Sequence, residues 1–178
     1  MINLWIPLAY IVITNRLYFG LIMAFLCLVS IAIDFGRLRV PILRKIFTKW
    51  FNPLLKPEEI QGHFTGATWV FLGATVTVIL FPRSIAILSL FFLFLGDPMA
   101  AITGTRLGRI RIFHKSLEGF LGGLLVCFLI AWVYPAPDIL IRMEGAAMAM
   151  LIEIMPFPID DNFLIPVGSA FLMWLAVS

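Results

Sequence analysis

The sequence predicts an all-α fold: a polytopic membrane helix bundle of six or seven helices with one interfacial amphipathic helix. Three observations carry that expectation. Of the 178 residues, 62% are hydrophobic and 13% charged, whereas a soluble domain carries about 25% charged residues, and the mean hydropathy is +1.05. The apolar residues collect into long runs rather than alternating. The charged residues collect between those runs, where they escape the roughly 2.5–3.5 kcal/mol that insertion scales assign to a charge at a bilayer centre.

The runs are Ile2–Thr14, Leu17–Ile33, Phe64–Phe81, Ser84–Leu95 (continuing to Ile102), Leu117–Tyr134, Ile139–Met155 and Phe163–Val177. A straight span needs about 20 apolar residues, with about 17 as the lower limit, so several runs only just qualify and the first reads as a half-span. The first thirteen residues have no basic n-region or small-residue cleavage site, and read as mature protein rather than a signal peptide. One integral membrane domain, residues 1–178, accounts for the whole chain. Cys27 and Cys127 sit inside apolar runs and read as small core residues, with no metal spacing and no disulfide framework. His63 and His114 lack the spacing of a zinc pair.

The basic residues set the orientation. Arg37, Arg39, Arg44, Lys45, Lys49 and Lys56 lie between the second and third runs, and Arg106, Arg109, Arg111 and Lys115 between the fourth and fifth. These two loops are two crossings apart and hold ten of the thirteen Lys and Arg residues, leaving Arg16, Arg83 and Arg142 for the other side. The positive-inside rule makes the two loops cytoplasmic, in the cytoplasmic membrane, and explains the net charge of +3 without nucleic acid as a partner. A further crossing by Ile139–Met155 brings Pro156–Asn162 to the same face. Within Arg37–Lys56, Leu43, Ile46, Phe47, Trp50, Phe51 and Leu54 recur at three- and four-residue steps, with Arg44, Lys45 and Lys49 largely opposite. That pattern predicts an interfacial helix whose basic face meets anionic lipid headgroups.

The candidate chemistry lies on this one face. Asp97 follows an apolar run and precedes Pro98, which reads either as a functional carboxylate, for Mg²⁺ or for the proton of an alcohol, or as a helix cap. Gly96, Gly104 and Gly108 read either as amides that approach a polyphosphate or as small residues packing helices. There is no Walker motif. Arg106, Arg109, Arg111 and Lys115 suit a polyanion, and Glu118 follows Lys115 at i+3, as a surface pair or as a metal carboxylate beside a phosphate lysine. Glu153 interrupts an apolar helix, and Asp160, Asp161 and Asn162 follow it, an oxygen-rich set of the kind Mg²⁺ takes. Asp34 and Arg37 close the second span as an i,i+3 pair, and Thr65-Gly66 opens the third, touching a phosphate or capping the helix.

Taken in order, Asp34…Arg37, Glu59, Thr65-Gly66, Gly96-Asp97…Ala100…Gly104…Gly108, Lys115-Ser116…Glu118-Gly119, Glu153, and Asp161-Asn162 with Pro166 resemble the dolichol kinase, phytol kinase and CTP-dependent diacylglycerol kinase family. The resemblance covers Asp34 to Pro166. It implies a membrane enzyme that moves the γ-phosphate of CTP onto the hydroxyl of a lipid alcohol (a polyprenol or dolichol, a phytol-like alcohol or diacylglycerol) with a divalent metal, Mg²⁺. It also implies that Gly96, Asp97, Gly104, Lys115, Ser116, Glu118 and Gly119 form the nucleotide-binding and catalytic segment, and Glu153, Asp161 and Asn162 an acidic motif. On this basis Lys115, Arg106 and Arg109 are expected to hold the triphosphate, Glu118, Glu153 and Asp161 the Mg²⁺, and Asp97 the lipid hydroxyl. Family members often open on an Arg-Lys…His segment that this chain lacks, so an incomplete N-terminus is expected. Two other readings stand beside this one. A phosphatidate cytidylyltransferase would use the same nucleotide, and a small membrane transporter or scaffold would be no enzyme at all.

Overall fold

The computed structural model describes residues 2–40, 42 and 63–178. Among these residues seven helices account for nearly all regular structure. They are α1 (Trp5–Val12), entered through a 3₁₀ turn at Ile2–Leu4, α2 (Arg16–Arg39), α3 (Gly66–Leu80), α4 (Arg83–Leu107), α5 (Leu117–Val133), α6 (Ile139–Ile154) and α7 (Asp161–Val177). A hairpin of two short strands, β1 (Arg111–Ile112) and β2 (Lys115–Ser116), joins α4 to α5. Arg37 and Arg39 belong to the last turn of α2. The rest of the expected interfacial helix, and Glu59, fall on residues 41 and 43–62, outside the described residues.

Local chemistry sets the helix ends. Asn15 caps α2 by accepting from the Leu17 and Tyr18 amides, and Ser116 caps α5 by accepting from Gly119 N–H at 3.1 Å. Asp138 and Asp160 do the same for α6 and α7. Pro82 and Pro156 follow the ends of α3 and α6, where a missing N–H costs nothing.

Helix α4 runs unbroken past a proline. Pro98 has no N–H to donate one turn back and its ring crowds that carbonyl, which breaks or kinks most helices. Here Phe92–Gly96 forms a π turn immediately before Asp97 and Pro98, and the helix resumes to Leu107. The wider turn absorbs the proline, so Asp97 is not the cap of a new helix but the first residue after a π bulge, a feature found often at functional sites.

The helices pack in sequence around that bulge. α2 lies on α3, α3 on α7, α7 on α6 and the first half of α4, α6 on α5, and α5 on the second half of α4, while the π turn touches α5, α6 and α7. Burial follows this order: 61% of the apolar window of α4 is inside the bundle against 28% of that of α2, which leaves α2 peripheral. These two helices are long and apolar enough to cross a membrane, and α3, α5 and α7 are shorter apolar helices.

The α4–α5 contact depends on small residues. A Cβ on Gly119 would stand 2.7 Å from the Ala100 carbonyl oxygen and 3.1 Å from Gly104 Cα, and one on Gly123 would stand 3.0 Å from the Gly96 carbonyl oxygen. Backbone atoms cannot step aside as a flexible side chain can. Gly119→Ala is therefore expected to lower the thermal midpoint of the detergent-solubilised protein, at a cost of about 1–3 kcal/mol. Gly20→Ala, whose new methyl would meet only Ile79 and Val78 at 3.5 and 3.8 Å, should hold or raise it by up to about 1 kcal/mol.

Candidate functional site

The β1–β2 hairpin positions the central cation. Its register pairs Arg111 with Ser116 and Ile112 with Lys115, leaving Phe113-His114 as a two-residue turn. Phe113 takes φ 53°, the left-handed region such turns require and bulky residues rarely enter. The turn sends Lys115 across to the end of α6 and the start of α7. Its ammonium donates to Asp161 Oδ2 at 2.6 Å and to the Glu153 backbone carbonyl, and it stands 3.1 Å from Glu153 Oε1. Three partners match its three N–H donors. Burial alone would pull the Lys115 pKa down; the Asp161 hydrogen bond and the charges of Asp161 and Glu153 outweigh that, and the net shift is upward.

Glu153 is 5% exposed. Lys115 satisfies one of its oxygens, while Oε2 is buried without a hydrogen-bond partner among the described residues. Asp160 holds the adjoining loop, its carboxylate accepting from Asn162 N–H at 3.0 Å and from the Asn162 side-chain amide at 2.6 Å. Asn162 thus anchors the acidic turn, and its own carbonyl oxygen lies 2.6 Å from where a Gly73 Cβ would be, seating α7 on α3.

A second polar cluster ties α2 to α3 at this end. Asp34, 1% exposed, accepts from Thr65 N–H at 2.8 Å, Thr65 Oγ1 at 3.0 Å and Thr68 Oγ1 at 2.7 Å. It also pairs with Arg37 at 3.1 Å, and Arg37 donates onward to the His63 carbonyl at 2.7 Å. Gly66 opens α3 beside it.

The structure differs from the sequence expectations at three points. Glu118 does not join Glu153 and Asp161. Its carboxylate accepts the Ile110 amide at 3.1 Å, closing the hairpin base, and no group of three metal-ligating side chains forms among the described residues. The glycine amides take partners within the chain, as the packing alternative expects: Gly104 lies within a helix, Gly108 N–H goes to the Gly104 carbonyl, and Gly119 N–H goes to Ser116. Gly96, Gly104 and Gly119 serve the close α4–α5 contact instead, and Gly108 packs on Ser116. The Thr65 hydroxyl and amide are both committed to Asp34, which makes that threonine part of a structural network.

Asp97 is half-buried after the π turn. Its neighbour Gly96 packs against Cys127 and Met150, and Met150 lies three residues, about one turn, before Glu153. Asp97 therefore belongs to the layer just beneath the Lys115 cluster. Arg106 and Arg109 are exposed at the end of α4 and in the loop after it. An open cleft of about 360 Å³ lies over the cluster, lined by Lys115 and Asp161 together with His63, Trp69, Phe113 and His114. Sequence spacing gave no sign that the two histidines share a cleft, because 51 positions separate them and only the bundle brings α3 beside the hairpin.

No family model and no solved structure matches the chain. It is similar to CTP-dependent diacylglycerol kinase 1 of Saccharomyces cerevisiae, 28% identical over 181 aligned residues that cover 86% of this chain and 61% of the relative. It is also similar to CTP-dependent diacylglycerol kinase 1 of Schizosaccharomyces pombe, 26% identical over 161 residues covering 80% and 73%. An uncharacterized protein of Rickettsia prowazekii is 27% identical over 130 residues covering 70% and 63%. The chain thus spans about three-fifths of the length of the Rickettsia and Saccharomyces relatives.

Lys115→Met should lower the thermal midpoint at neutral pH by leaving the buried Glu153 carboxylate without its cation. The loss should be about 1–3 kcal/mol, less than for a fully buried pair, since the Lys115 and Asp161 side chains are 29% and 31% exposed. Because the Lys115 pKa is raised, the tether's contribution is intact below the ordinary lysine range and is lost as pH rises through the raised value. Melting curves of wild type and variant are expected to converge only in strongly alkaline buffer.

Proposed function

We propose that this chain is a multi-pass membrane kinase that transfers the γ-phosphate of CTP to the hydroxyl of a lipid alcohol, with diacylglycerol the first acceptor to test. The observation that carries this reading is the Lys115–Glu153–Asp161 cluster beneath an open cleft at one end of an apolar bundle. The likeness to CTP-dependent diacylglycerol kinases supports it. The excess of Lys and Arg at that end puts the site on the cytoplasmic side in this reading.

Phosphoryl transfer asks for positioning and charge neutralisation more than for covalent chemistry. Arg106 and Arg109 offer planar donor forks to the outer phosphates. Lys115, its donors already engaged, turns from Asp161 to a phosphate oxygen as the nucleotide enters the cleft. The unpartnered Glu153 Oε2 and the Asp161 carboxylate are hard oxygen donors that fit Mg²⁺, which takes one or two carboxylates plus substrate phosphates. When bound there, the ion would neutralise phosphate charge. The lipid lies along the apolar helices with its hydroxyl at the Asp97 layer. Asp97 accepts the hydroxyl proton as the alcohol oxygen bonds to the γ-phosphorus, the bond to the bridging β–γ oxygen breaks, and CDP departs.

With purified protein in vesicles, γ-labelled CTP, Mg²⁺ and a panel of lipid alcohols, label should appear in a lipid phosphate. Asp97→Asn is expected to lower kcat by about 10²–10⁴ while leaving the thermal midpoint near that of wild type. Labelled pyrophosphate released only with phosphatidate would overturn the kinase reading in favour of a cytidylyltransferase.

A further inference from the structure

At the end of the bundle opposite Lys115, three arginines meet different fates. Arg16 donates to the Val78 carbonyl at 3.0 Å and to the Ile79 carbonyl, closing the C-terminus of α3. Arg83 donates to the Tyr10 and Ile11 carbonyls at 3.0 and 2.8 Å, closing α1. Both sit where the negative end of a helix dipole wants a cation. Arg142 does not. It lies in the first turn of α6, at the positive end of that dipole, and is 9% exposed. Its Nε is buried with no hydrogen-bond partner among the described residues.

The acidic residues nearest in sequence do not answer it. The Asp138 carboxylate caps α6 through the Leu140 amide at 2.9 Å, and Glu144 is exposed. Arg142 is on the buried face of α6, eleven residues before Glu153, so about 16 Å of helix separates it from the Lys115 cluster. A guanidinium is a permanent cation, and burying its Nε without a partner calls for an anion. The surroundings indicate which kind. Trp132 and Val133, at the end of α5, and Leu140, in the first turn of α6, are 72%, 80% and 70% exposed, an apolar collar of the sort found where a bundle meets the lipid interface.

We propose that Arg142 and the N-terminus of α6 form a second site, for the phosphate of a phospholipid headgroup whose acyl chains lie on that collar. Helix side chains lean toward the N-terminus, so the Arg142 side chain lies toward the starting end of α6 rather than the middle of the bundle. The site is independent of the phosphotransfer reading and serves to hold a resident lipid rather than a substrate.

The test uses the delipidated full chain in an uncharged detergent, with thermal midpoints measured against dihexanoylphosphatidylglycerol, inorganic phosphate and octyl glucoside. The phospholipid is expected to raise the midpoint of wild type, with apparent affinity falling about tenfold in Arg142→Gln, the loss of one charge-assisted contact. Arg142→Lys should fall between, since an ammonium keeps the charge but not the fork. Equal shifts in wild type and variants would overturn the site. A full shift with inorganic phosphate alone would make it a free-anion site, and one with octyl glucoside alone a purely apolar groove; either overturns the lipid assignment. Should Arg142→Gln fail to fold, the wild-type arms and Arg142→Lys decide the matter.

Discussion

A carboxylate inside an apolar bundle must be met by donors or a cation, and two such meetings hold one end of this molecule together. Asp34 gathers Thr65, Thr68 and Arg37, so the last turn of α2 and the first turn of α3 close on a satisfied network. Glu153 and Asp161 gather Lys115, so a hairpin distant in sequence is locked onto α6 and α7. Removing either cation would strand a buried negative charge, which costs far more than the pair contributes by forming. The polar end is thereby the most tightly specified part of a chain whose remaining contacts are largely non-directional.

The opposite requirement, close approach without polar groups, governs the middle of the bundle. Apolar helices without polar partners associate by packing, and small residues let their backbones come near. Gly96, Ala100 and Gly104 on α4 face Gly119, Gly123 and Cys127 on α5 at distances that leave no space for an added methyl on most of the glycines. The π turn before Pro98 keeps that seam continuous through a proline. Asp97 therefore sits on a rigid, centrally packed helix, one layer under the Lys115 cluster, rather than on a loop. Such support suits the role proposed for Asp97.

The helical runs were legible in the sequence because apolar length and proline punctuation are local signals: the runs Phe64–Phe81, Leu117–Tyr134 and Ile139–Met155 end within two residues of α3, α5 and α6, and Pro82 and Pro156 mark two of the breaks. Sequence order also led to the expectation that Asp34, Lys115, Glu153 and Asp161 gather at one end, since helices of alternating direction leave each at the same level. The partners were not legible. Glu118, three residues from Lys115, turned to the Ile110 amide, whereas Glu153, 38 positions away, took the lysine. The glycines showed the same ambiguity: a phosphate cradle and a helix seam require the same absent Cβ, and sequence cannot separate them.

By itself, then, the sequence determined an all-helical apolar bundle, the positions of most helix ends and the concentration of charge toward one face, because these follow from residue-by-residue transfer free energy and backbone preference. Tertiary structure decided which carboxylate meets which cation, that α4 passes Pro98 through a π turn, that His63 and His114 share one cleft, and that Arg16 and Arg83 cap helix carbonyls while Arg142 meets none among the described residues. Those outcomes depend on the distances between helices, and no single stretch of chain contains them.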